Sequence, residues 1–129
     1  MCMGAPPAND TRAGATVINL ASPSQTIAAN TTSATNNTTA CACTSGNDVF
    51  YRFTLTRREF VYADTFGTPW DTKLFFATAC TTQLRTSQTL GDLICDNDLG
   101  ASCTTGGTAS QVYTVLNPGT YYLVLSSNG

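Results

Sequence analysis

The chain is expected to fold as an all-β domain of two packed antiparallel sheets, a β-sandwich stapled by disulfides. Apolar and aromatic residues alternate in three stretches between Asp48 and Leu125, which is the period of a strand with one face buried. Threonine is roughly a fifth of the chain, and its β-branched side chain suits strand faces and polar loops better than helices. Six cysteines stand beside no histidine at all, a composition that favours disulfides over zinc and hence an oxidising, extracellular setting.

Taken in order, residues 1–14, with Pro6, Pro7, Asn9 and Asp10, read as an entry linker, and 15–129 as a single domain. ATVINL (Ala15 to Leu20) and QTIAA (Gln25 to Ala29) are short strand candidates separated by a turn at Pro23. The run from Asn30 to Ala40 is polar and low in complexity, so it is expected as a surface loop. Its N-x-T sequons at Asn30, Asn36 and Asn37, like that at Asn9, matter only in a host that glycosylates and are read as incidental. In Val49 to Leu55 one face presents Val49, Tyr51, Phe53 and Leu55, while Phe50, Arg52 and Thr54 point the other way. Phe60 to Thr65, Lys73 to Thr78, Gln111 to Leu116 and Tyr121 to Ser126 are comparable strands. Asn117-Pro118-Gly119 predicts a tight turn before the last of them, with proline fixing φ and glycine supplying the permissive position. Tyr121 and Tyr122 must face opposite sides of their strand. No segment carries a helical period.

The length of 129 residues is that of one domain, able to bury roughly two thirds of its unfolded surface. Charged residues are only 11% of the chain and the net charge is −2. The basic residues number six, and only Arg57 and Arg58 are adjacent, so no nucleic-acid footprint is expected. The apolar runs are far shorter than a membrane span. The opening MCMGAPPAND has neither a basic nor an apolar leader region, so a signal peptide is expected to have been removed or to lie further upstream.

Six cysteines allow fifteen pairings. Cys80 with Cys95 is the favoured one, closing a loop of about fifteen residues worth roughly 3 kcal/mol in the chain-entropy view. Cys41 and Cys43 are too close to bond one another without strain, so each is expected to find another partner, with Cys2 and Cys103 as candidates. A metal site built from cysteine alone is disfavoured, because no CxxC pair occurs.

The order of motifs resembles the bacterial pre-peptidase C-terminal domain family. The matching segments are NDT at Asn9 to Thr11, the DVFYRFTL strand, and the DT-xGT-x-WDT-x-L block ending at Leu74. The Cys80 to Cys95 span closing on CDND and PGTYYLVL from Pro118 complete the series. The resemblance covers nearly the whole chain and rests on the order of short motifs. It implies a jelly-roll-like β-sandwich, found beside peptidases and other secreted catalytic domains or in tandem on surface proteins, without chemistry of its own. The family continues past its YYLVL-like strand to one more, so a last strand is expected to be missing here, or to come from elsewhere in the chain or from another subunit.

Without histidine, Ser-His-Asp and Cys-His arrangements are excluded. A Ser-Lys dyad would require Lys73, the sole lysine, and paired carboxylates would require Asp71 with Asp96 or Asp98. Aspartates in such turns ordinarily accept backbone N–H groups instead, so the chain is not expected to be an enzyme. Calcium is the one cofactor considered: Asp96, Asn97 and Asp98 bring hard oxygen donors close together, with Asp64 or Asp71 on the facing loop, although solvated Asx turns are the favoured reading of these residues. Trp70, in a turn beside Asp71, is a candidate sugar-stacking residue, with a cap on the end of the sandwich as the favoured reading.

These features predict a noncatalytic extracellular accessory or adhesion module, whose partners are neighbouring domains of the same polypeptide. Two alternatives are retained: a structural subunit of a filament or surface assembly, joined to identical subunits by strand donation, and a carbohydrate-binding module with a glycan partner.

Overall fold

A computed structural model describes residues 5–22, 24–35, 47–79, 82–83, 95–97 and 109–127. For residues 79, 82–83 and 95–97 the description is of the backbone alone. Cys2, Cys41, Cys43, Cys80, Cys103, Asp98, Asn36 and Asn37 lie outside the described residues.

The described chain is all-β, with one 3-10 turn at Arg12–Gly14 and eight strands. These are β1 (Thr16–Val17), β2 (Asp48–Leu55), β3 (Glu59–Asp64), β4 (Thr72–Ala79), β5 (Thr82–Gln83), β6 (Cys95–Asn97), β7 (Gln111–Leu116) and β8 (Gly119–Ser127). They form two sheets. The larger runs β1-β2-β8-β4, with β5 and β6 both on the far edge of β4; the smaller is β3 with β7. Every pairing is antiparallel except β1 with β2, which is parallel.

The two sheets share one core. Val49, Tyr51, Phe53 and Leu55 of β2, Leu74 and Phe76 of β4 and Leu125 of β8 bury against Val112 and Leu116 of β7, as the alternation required. Val61 and Ala63 of β3, Trp70, Tyr121 and Leu123 pack on its margin. Phe53 is its centre: its ring meets Phe76 edge-on at 6.1 Å and 75°, and stacks on Tyr121 at 5.8 Å. Each such pair contributes about 0.5–1.5 kcal/mol beyond the area it buries.

Phe50 departs from the expectation of one buried face. It is fully buried on the opposite side of β2, with Phe75, Ala77 and Val124, in a second cluster against which Ala15 and Tyr122 pack. The N-terminal segment reaches this cluster through Ala15 and is anchored beside it. The Asn9 carbonyl accepts the Phe50 N–H at 2.9 Å. The Asp10 carboxylate takes both the N–H and the hydroxyl of Thr35, at 2.5 and 2.9 Å. The Arg12 guanidinium lies 5.8 Å over the Tyr122 ring. Gly14 admits this path because a Cβ there would collide with the Ala8 carbonyl oxygen.

Two expected strands are corrected. Of Ala15 to Leu20 only Thr16–Val17 pairs, and Gln25 to Ala29 forms no strand. The latter finds no ladder partner; its stretch instead lays Ala29 and then Ala34 against the shared core, where β-propensity counts for little.

Both ends of the sandwich are tied. At one end Thr65, after β3, Thr72, opening β4, and Ser110, before β7, form a buried hydroxyl cluster. The Thr65 and Thr72 hydroxyls are 2.7 Å apart, Thr72 donates to Ser110 Oγ at 3.0 Å, and Ser110 Oγ donates to the Thr72 carbonyl at 2.6 Å. At the other end the chain passes from β7 to β8, and so from one sheet to the other, through Asn117 and Pro118, with Gly119 at a φ of 155°. There the Tyr121 hydroxyl donates to the Asn117 carbonyl at 2.7 Å, the arrangement of a tyrosine corner.

Candidate binding surface

Strand β3 inverts the usual sorting of side chains. Its small residues, Val61 and Ala63, turn inward, while Phe60 and Tyr62 turn out and are 63% and 45% exposed. Large apolar rings normally take the inner positions. The partner strand matches this face: Val115, 41% exposed, stands opposite Phe60 in the register, and Tyr113 stands opposite Tyr62. The Phe60 and Tyr113 rings lie 6.2 Å apart at 30°. Asp64 and Gln111 pair at the end of the same face. The Asp64 carboxylate there accepts the Phe66 N–H at 3.1 Å, an Asx turn leaving the strand.

The sequence reading missed these residues. In EFVYAD three apolar residues run consecutively, so both faces of the strand look suitable for burial and period alone cannot choose between them. The available signal was volume: the ring-bearing residues share one parity and the small ones the other.

The sequence-derived candidates among the described residues lie on β4, just before it, or on β6 at its edge, with Asp64 closing β3. Trp70 is half-buried, its ring packed against the shared core beside the hydroxyl cluster. Asp71 immediately precedes β4. The register places Asp96 opposite Leu74 and Asn97 opposite Lys73, and Cys95 opposite Phe75. Among the described residues no three acidic or cysteine side chains gather as a metal site, while Asp98 lies outside them. Lys73 stands opposite Ser126, which in turn stands opposite Asp48, one row across the large sheet. Ser126 is fully buried and its hydroxyl donates to the Ser127 carbonyl at 3.3 Å, so it presents no surface to a substrate.

Elsewhere, a shallow depression of about 280 Å3 at the β2–β3 corner is lined by Leu20, Thr54 to Arg57 and Glu59. It is bordered by the exposed Arg57–Glu59 ion pair at 2.6 Å, whose carboxylate raises the guanidinium pKa. Burial raises the Tyr51 hydroxyl above its ordinary value, with a hydrogen bond to the Asn9 side chain opposing the shift. No helix among the described residues is long and apolar enough to cross a membrane. No family model, no curated protein and no solved structure matches the chain.

Proposed function

We propose that this domain is a noncatalytic accessory module that acts by adhesion, working in an extracellular setting beside other domains of a secreted or surface protein. The observation that carries the reading is the outward placement of Phe60, Tyr62 and Val115 on an open sheet face. Burial of apolar surface drives association, so an apolar patch kept in water supports a role in binding. The jelly-roll arrangement, the disulfide staples and kinship with pre-peptidase C-terminal domains belong to the same proposal, and rest on the motif order and cysteine content given above.

The test is retention. A fluorescent protein fused to this chain is expected to remain on extracellular material, such as cell walls or matrix, after washing that removes the fluorescent protein alone. Equal loss of the two, or hydrolytic turnover of the material by the purified chain, contradicts the reading.

One observation favours a second reading, a subunit joined to its like by strand donation. Among the described residues β3 and β7 pair only with each other, which leaves an outer edge on each. Sedimentation of the purified chain separates the two: concentration-dependent polymers favour the subunit, and one folded monomer favours the module.

A further inference from the structure

We infer that the outer face of β3 and β7 is a binding platform for a neutral glycan chain, with the Phe60 and Tyr113 rings stacking on the apolar faces of its pyranose rings. This deepens the adhesion reading and rests on it.

The shape sets the first constraint. The face belongs to a two-stranded sheet and carries three rings, Phe60, Tyr62 and Tyr113, of which Phe60 and Tyr113 lie 6.2 Å apart with planes 30° from parallel, so it presents an exposed aromatic surface. A small molecule needs a cleft that encloses most of its surface. An extended polymer needs only successive flat contacts, which adjacent rings provide.

Charge sets the second. On this face the register supplies Phe60, Tyr62 and Asp64 from β3 and Tyr113 and Val115 from β7, with the buried Gln111 at its end and no basic side chain among them. Arg57, just before β3, is already paired with Glu59. Exposed Arg58, immediately before β3, and Asp64, at its end, stand at opposite ends of the strand, so the face has no net charge for an anionic chain to pair with, whereas a neutral one meets groups able to donate to and accept from its hydroxyls.

Area sets the third. At the exposures of Phe60, Tyr62 and Val115 the apolar part of the face is on the order of 300 Å2, taking whole-ring areas of about 150–250 Å2. A stable protein interface covers about 800 Å2 on each partner, of which roughly 57%, or about 450 Å2, is apolar, so this apolar area falls short of one and is of a size to seat a few sugar rings. A pyranose offers one apolar C–H face with hydroxyls around its rim. That pattern complements rings bordered by Asp64.

The experiment uses the full chain against insoluble and soluble neutral polysaccharides (cellulose, chitin, starch, mixed-linkage glucan) and a neutral glycan array. Wild type is expected to be retained on at least one of them. Phe60→Ala and Tyr113→Ala should each weaken that binding at least tenfold while leaving the melting temperature of Phe60→Ala within a few degrees of wild type. Val17→Ala, which removes an exposed apolar residue from the other sheet, should bind as wild type does. Absence of retention on every neutral glycan overturns the proposal. So does retention that survives Phe60→Ala, retention lost only on Trp70→Ala, or a dimer that Phe60→Ala dissolves. A fusion still held on extracellular material that contains no neutral glycan would leave the adhesion reading standing while this proposal fails.

Discussion

Tyr121 donates its phenolic hydroxyl to the carbonyl of Asn117, four residues upstream, across the turn that carries the chain from one sheet to the other. The same ring stacks on Phe53 in the core, so one side chain fixes both the turn and the packing beneath it. Tyr121→Phe keeps the ring and deletes the bond. It should lower the unfolding free energy by about 0.5–1.5 kcal/mol, as read from the urea midpoint. An unchanged midpoint would show that the corner is held by Pro118 and Gly119 alone.

Phe53 touches the largest side chains of the shared core, and its truncation leaves a cavity that neighbouring strands cannot close. Phe53→Ala should cost about 3–5 kcal/mol, enough to unfold a marginal domain of this size at ambient temperature. Thermal denaturation followed by circular dichroism reads this directly. A loss below about 1 kcal/mol would mean that the ring is not where the two layers meet.

Two buried threonines should respond in opposite ways to the same substitution. Thr72→Val deletes the hydroxyl that links Thr65 to Ser110, while Thr65 Oγ1 keeps the Ser110 N–H and Ser110 Oγ keeps the residue-72 carbonyl, so it should cost about 0.5–1.5 kcal/mol. The Thr114 hydroxyl is fully buried and makes no hydrogen bond. Thr114→Val removes that unmet group at nearly constant volume, so it should be neutral or stabilise by up to about 1 kcal/mol. Equal losses in the two variants would refute the distinction.

Stability should fall in alkali through Tyr51. An unfolded tyrosine titrates near about 10, and burial raises the folded value above it. Above the unfolded value the native state therefore holds more protons than the unfolded chain. The contribution is fully present below about pH 10 and is lost as pH rises through the raised folded value. Urea midpoints taken between about pH 8 and pH 11 should decline for wild type more steeply than for Tyr51→Phe. Parallel declines would exclude Tyr51 as the source.

The calcium expectation rests on the spacing of Asp96, Asn97 and Asp98 with Asp71 nearby. Millimolar calcium should raise the melting temperature modestly over the value in chelator, and Asp96→Asn should abolish the rise. Superimposable melting curves with and without calcium end the idea.

Much of the fold was legible because alternation is a direct consequence of strand geometry. Tyr51, Phe53 and Leu74 could be assigned to the core from their parity alone, and Leu123, assigned with them, packs on its margin. The second cluster around Phe50 was not legible, since nothing in DVFYRFTL announces that Ala15 returns to pack on the other face, with Arg12 over the Tyr122 ring beside it. The aromatic platform was hidden for a related reason. Phe60 and Tyr62 look like core residues wherever hydrophobicity is the criterion, and only the register of β3 on β7 shows them turned outward. Trp70 drew attention as the single tryptophan, yet its position against the core follows from the turn before β4, which composition does not reveal.

The central claim is that Phe53 lies between the sheets while Phe60 lies outside them. Nuclear Overhauser contacts from the two rings to the methyl groups of Val112 and Leu116 test it most directly. The account predicts such contacts from the shell of side chains around Phe53 and none from Phe60, whose ring should see Tyr113 and Val115 instead. Strong contacts from Phe60 to both methyl-bearing residues would mean that β3 is slipped by one residue, which turns every side chain over and dissolves the platform together with the fold described for that strand.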